Sequence, residues 1–183
     1  LGVSGVMQCW YFGAYPGLMT KAAGELSFAP LPKSEDKFLN NLAGCWWPGD
    51  RGTAVKAWKI FRDAYSNFPM NALFGYYGPM HDGPVWPLYL RPRNKPLAPT
   101  FLSAYPASGD MIGQSFAYTH TIHEILLLCR RMYKKWEKGV KLLKIDLEMA
   151  GKNVKMRENL QVDRALGLQF RSGYHIFRFY QLR

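Results

Sequence analysis

Apolar and polar positions along this chain change period more than once, and each change marks a different predicted element. Residues 5–12, GVMQCWYF, form a continuous apolar run with Gly13 and Pro16 behind it, the pattern of a strand buried on both faces. Ser34 stands where a helix N-cap would, ahead of Phe38, Leu39 and Leu42 on one side, and Gly44 stands where a left-handed C-terminal residue would. Thr53 is the expected cap of the next helix, in which Ala54, Ala57, Trp58, Phe61, Ala64 and Tyr65 follow the helical period. A second apolar run, Ala72 to Tyr77, completes the order strand, helices, strand. That is the order of a βα unit.

Seven of the twelve prolines then fall between Pro79 and Pro106, where missing amide donors and a fixed φ exclude regular helix or central strand. Trp86, Leu88, Tyr89 and Leu90 interrupt this stretch with groups that need burial, so it reads as an irregular but ordered loop. From about Ile112 to Ala150 the period is helical again, carried by Phe116, Ile122, Leu126, Met132, Trp136, Val140 and Leu143. Gly151, Lys152 and Asn153 predict a turn. A second helix carries Leu160, Leu166, Phe170, Ile176 and Phe177, closing an antiparallel hairpin. The expected fold class is thus α/β, the last strands of a parallel sheet followed by a helical hairpin, and helix-dominated overall. Its two parts are residues 1–110, with the Pro-rich loop, and the basic hairpin 111–183.

Composition adds bounds to this picture. The chain has 183 residues, 48% hydrophobic and 15% aromatic, enough for one domain with a core and too apolar for a disordered chain. No stretch of 18 uncharged apolar residues occurs and the start lacks the layout of a signal peptide. Cys9, Cys45 and Cys129 are an odd number at wide spacing, without the C-x-x-C pairs of zinc or redox sites, so free thiols in a reducing, cytoplasmic setting are expected. The run in progress at Leu1 and the helical pattern still open at Arg183 suggest part of a larger protein. The net charge of +11 is concentrated: residues 129–183 hold 14 Lys and Arg against 5 Asp and Glu, and residues 1–128 hold 10 against 8.

Candidate chemistry sits beside the aromatic segments. Gly75 to Leu90, GYYGPMHDGPVWPLYL, places His81 and Asp82 between glycines and among Tyr76, Tyr77 and Trp86. Flat aromatic faces bury sugar C–H surface and leave polar rims free to hydrogen bond, while glycines let the backbone approach a ligand. The same residues also suit a turn capped by Asp82 and tied to the core by His81. Cys9 to Gly17, CWYFGAYPG, repeats the chemistry with Trp10, Tyr11 and Tyr15, and Glu25 follows. Glycosidic cleavage usually takes two carboxyl groups, and Glu25 and Asp82 are the available pair, although Glu25 equally fits a helix surface.

His120 and His123 lie three apart ahead of Glu124, but the order H-T-I-H-E is not that of zinc proteases and no further ligands are spaced to join it. No metal or cofactor is expected. Arg157, Arg164, Arg171 and Arg178 recur every seven residues, drifting only about 20° per step, a stripe about 32 Å long. It faces solvent, an acidic partner, phosphates, or Glu137, Asp146 and Glu148 on the preceding helix. Such charge predicts weak, salt-labile polyanion binding and no specific nucleic-acid recognition. Phosphate-loop, dinucleotide-turn and serine-elbow motifs are absent.

The segments CWYFGAYPG and YYGPMHDGPVWPLYL, with the tail ALGLQFRSGYHIFRFYQLR, resemble the closing part of bacterial glycoside-hydrolase-like proteins. Their catalytic module resembles a (β/α)8 barrel followed by helices. The resemblance implies that the strands starting at Gly5 and Ala72 are the last of a barrel, that Trp10, Tyr11, Tyr15, Tyr77, His81, Asp82 and Trp86 line a sugar pocket, and that a saccharide and the missing N-terminal strands are the partners. A chain with two such strands cannot close a barrel, so it would be inactive alone. The alternatives are a basic helical module for nucleic acid or an acidic partner, and a non-catalytic carbohydrate-binding segment.

Overall fold

The structure, a computed structural model, describes residues 17–69, 80, 86, 88–91, 119–151 and 153–183, and among these five helices carry it. They are α1 (Leu18–Ser27), α2 (Glu35–Trp46), α3 (Arg51–Tyr65), α4 (Ile122–Ala150) and α5 (Val154–Leu182). The described residues are 78% helical with no strand, so the expected α/β class, the barrel and the likeness to barrel glycoside hydrolases give way to an all-α architecture. The runs 5–12 and 72–77, read as strands, lie outside the described residues. The physical reason for the correction is visible in α3. In a βα unit its apolar face would lie on a sheet, whereas here Ala57, Phe61 and Ala64 are buried against α4.

Helix ends follow local chemistry. Ser34 caps α2, its Oγ accepting from the Lys37 amide at 3.2 Å. Asp50, not Thr53, caps α3: its carboxylate accepts from the Thr53 amide at 2.7 Å, and that bond holds the carboxyl below the usual carboxylate range. Gly44 does not end α2, which continues to Trp46. Thr121 and Glu124 form a reciprocal capping box at the start of α4. Gly151 takes φ +82°, a conformation that costs glycine little. Asn153 then caps α5 through the Met156 amide at 3.0 Å. Lys155 and Asn159 donate to the carbonyls of Cys45 and Trp46 at 3.0 and 3.3 Å, satisfying the end of α2 from another helix.

The core lies where α3, α4 and α5 meet. Along α4 the buried residues Ile125, Cys129, Met132, Trp136, Gly139, Leu143 and Asp146 recur at alternating steps of four and three, the heptad seam of a helix that packs at a shallow angle. Trp136 is its centre. The indole stacks on Phe61 at 4.2 Å and meets Phe170 edge-on at 5.0 Å, and its Nε1 donates to the Asp163 carbonyl at 2.7 Å. Such contacts need close helix approach: a Cβ on Gly139 would overlap the Phe61 ring, and one on Gly167 would come within 2.9 Å of Trp136. Phe170, Phe177 and Trp136 are buried as the period indicates, but Leu166 is 39% exposed.

Asp146, read as a candidate partner for the arginine stripe, is instead turned inward and is 8% exposed. Its Oδ2 accepts from Trp47 Nε1 at 2.6 Å and from the Asp50 amide at 3.0 Å. The loop between α2 and α3 is thereby fixed to α4.

Candidate functional site

The cleft beside α1 is built from the first described residues. Gly17 precedes α1 with an extended backbone. In the helix Lys21 and Glu25 form an i, i+4 ion pair at 2.6 Å, both about half exposed, and Glu25 raises the Lys21 ammonium above its ordinary range by hydrogen bond and charge. No residue of α1 is buried. Its inner side therefore leaves an open cleft of about 580 Å³, lined by Thr20, Lys21, Glu25, Phe28, Pro30 and Trp46, with the backbone of Gly17 and Gly24 at its edge. Trp46 is a fixed wall because Lys155 Nζ lies over its ring at 5.2 Å and its carbonyl is bonded to Asn159.

Of the sequence-predicted site residues, Glu25 and Trp86 are described. Trp10, Tyr11, Tyr15, Tyr77, His81 and Asp82 lie outside the described residues. Glu25 stands on the cleft. Trp86 does not present an open stacking face: it is 5% exposed and joins Met80 in the core cluster with residues of α3, α4 and α5. Gln169 Nε2 donates to the Met80 carbonyl at 3.0 Å, the Tyr89 amide to Tyr180 Oη at 3.1 Å, and Arg183 to the Tyr89 carbonyl at 3.1 Å. Met80 and Tyr89 are thereby tied to α5. Thr20, Lys21, Phe28 and Trp46 were not singled out from sequence; the signals were the Lys-Ala-Ala-Gly-Glu spacing of an ion pair and the Trp46-Trp47 doublet that ends α2.

The remaining candidates resolve into packing and surface. His123 Nδ1 meets Gln181 Nε2 at 3.1 Å, joining the start of α4 to the end of α5, and the Glu124 beside it belongs to the capping box. Among the described residues no group of three or more His, Cys, Asp or Glu could hold a metal. Cys45 is exposed, whereas burial pushes the Cys129 thiol up to about 12. Asp163 is half-buried in the row of α5 that carries Leu160, Gly167 and Phe170, and burial pushes its carboxyl up to about 7. All four arginines of the stripe are exposed. Arg171 lies 3.9 Å from Glu137, Arg164 and Arg178 donate to the amide oxygens of Gln161 and Gln181, and Glu148 pairs with Lys144 rather than with the stripe.

No helix among the described residues is long and apolar enough to cross a membrane. The described residues thus form a predominantly helical protein with an open cleft that holds a Lys21–Glu25 ion pair between Phe28 and Trp46. No protein-family model, curated protein or solved structure matches the chain.

Proposed function

We propose that the chain handles a saccharide, as part of a carbohydrate-active enzyme that cleaves glycosidic bonds, with Glu25 and Trp46 in the sugar site. The observation that carries this reading is the meeting of a carboxylate with two aromatic walls, Phe28 and Trp46, in one open cleft. Flat rings remove sugar C–H surface from water, and the Thr20 hydroxyl, Lys21 ammonium and Glu25 carboxylate supply the donors and acceptors that a ring of hydroxyls requires. Hydrolysis needs a second carboxyl group. Asp82 is assigned that role, so binding belongs to the cleft and turnover to the complete pair.

A panel of neutral and acidic oligosaccharides titrated into the isotope-labelled chain tests the reading. Shifts in Thr20, Lys21, Glu25 and Trp46 signals are expected, and Phe28→Ala should weaken the binding about tenfold. Phe28 is 76% exposed, so its loss leaves the fold intact. Millimolar saccharide that moves none of these signals would overturn the proposal.

A further inference from the structure

The outer edge of α5 has a second periodicity besides its arginines. Val154, Gln161, Leu168 and His175 stand three residues before Arg157, Arg164, Arg171 and Arg178, and Leu182 four residues after the last, so the two rows run side by side. Val154, Leu168 and Leu182 are 56%, 64% and 69% exposed. Along this edge a cation therefore recurs every seven residues, about 10.5 Å, with exposed aliphatic or hydrogen-bonding side chains between. The Arg171 pairing with Glu137 brings the edge against α4, where Lys134, Lys141 and Lys144 are also exposed.

We propose that this edge binds a linear acidic polysaccharide, one carrying a single carboxylate or sulfate on each disaccharide unit. Two sugar units of an extended chain span a length similar to the arginine repeat, which lets each anion meet one guanidinium. The sugar faces between anions offer C–H surface to Leu168 and Leu182 and hydroxyls to Gln161 and His175. Duplex nucleic acid fits less well. It carries one charge per about 1.7 Å of axis, several for each arginine, and its phosphate row has no apolar surface for the leucines. An acidic protein would have to present one carboxylate about every 10.5 Å along a straight edge, which a linear polysaccharide does by its covalent repeat.

The ligand class follows from the saccharide reading, but the edge and the cleft are separate surfaces and are tested by separate variants. The probe is hyaluronan, which has one carboxylate per disaccharide, titrated as tetrasaccharide and octasaccharide at physiological salt. A neutral glucan of equal length and a DNA duplex are the comparisons. Octasaccharide binding is expected to be at least about fivefold tighter than tetrasaccharide binding. It should weaken about tenfold or more when all four arginines are changed to Gln, and several-fold in Leu168→Asn. Circular dichroism checks that these exposed substitutions keep the helices. The edge is read apart from the cleft by NMR: shifts in the Arg164, Leu168, Arg171 and His175 signals report the edge, and shifts in Thr20, Lys21, Glu25 and Trp46 report the cleft. Equal shifts of the edge signals with the neutral glucan, no effect of the arginine changes on them, or no edge shifts at physiological salt overturns the proposal. Binding of DNA alone, with a log–log salt slope near about −3.6 for four phosphates, would reassign the edge to phosphate.

Discussion

Trp47 donates its indole Nε1 to the Asp146 carboxylate at 2.6 Å, across 99 residues of sequence. Both partners are buried, at 2% and 8% exposure, and the same carboxylate accepts from the Asp50 amide. One acidic side chain thus joins the end of α2 and the cap of α3 to the last position of the core seam.

Asp146→Ala should destabilise the chain by about 3 kcal/mol, since it strands the buried Trp47 N–H and removes charge-assisted bonds of about 1.5–3 kcal/mol each. Urea unfolding followed by tryptophan fluorescence reads the change. Gly49→Ala should act in the same direction, because its Cβ would meet Asp146, Met156 and Trp47 together. A variant as stable as the parent would mean that this bond is not made in solution.

Two helical glycines should respond to alanine with opposite signs. At Gly139 the added methyl overlaps the Phe61 ring, and overpacking of about 1–3 kcal/mol outweighs the gain in helix propensity of about 1 kcal/mol. At Gly24 in α1 nothing lies within 4 Å, so the propensity gain stands alone. Thermal unfolding of the two variants is the check. Stabilisation by Gly139→Ala would contradict the close approach of α3 and α4.

Asp163 makes stability depend on pH in a direction opposite to that of most carboxylates. Burial raises its carboxyl from 3.8 to about 7 in the folded chain, so between those values the folded state holds a proton that the unfolded state has released. Its contribution is fully present below the unfolded value and is lost as pH rises through about 7. One pKa unit corresponds to about 1.4 kcal/mol, and partial exposure reduces the total to about 2 kcal/mol. Asp163→Asn should therefore raise the urea midpoint at pH 8 and leave it nearly unchanged at pH 3.5. An equal effect at both values would remove the carboxyl from this account.

What could be read from the sequence depended on whether packing or a local rule decided the element. Ala54, Ala57, Phe61 and Ala64 announced the buried side of α3, and Met132, Trp136, Leu143, Phe170 and Phe177 that of α4 and α5, because a helix that buries one face repeats apolar residues at its own period. Asp146 was misread because charge was weighed above position. Its place three residues after Leu143 continues the seam and was the available signal. Thr121 and Glu124 have the spacing of a capping box, but the reading of this stretch weighed His120 and His123 and left the box itself unnamed. The barrel failed for a deeper reason: periodicity shows that a helix face is buried without showing what covers it, and α3 is covered by helices. Glu25, a candidate from sequence, lines the cleft with Phe28 and Trp46, which sequence did not single out because they come near it only through the turn between α1 and α2.

The central claim is that the cleft beside α1 binds sugar through Glu25 and Trp46. The most direct measurement is a heteronuclear NMR titration of the chain with an oligosaccharide panel, repeated on Glu25→Gln and Phe28→Ala. The account predicts saturable shifts clustered on Thr20, Lys21, Glu25 and Trp46, with affinity lowered about tenfold in each variant. Shifts that are absent, or that are equally strong in both variants, would contradict it.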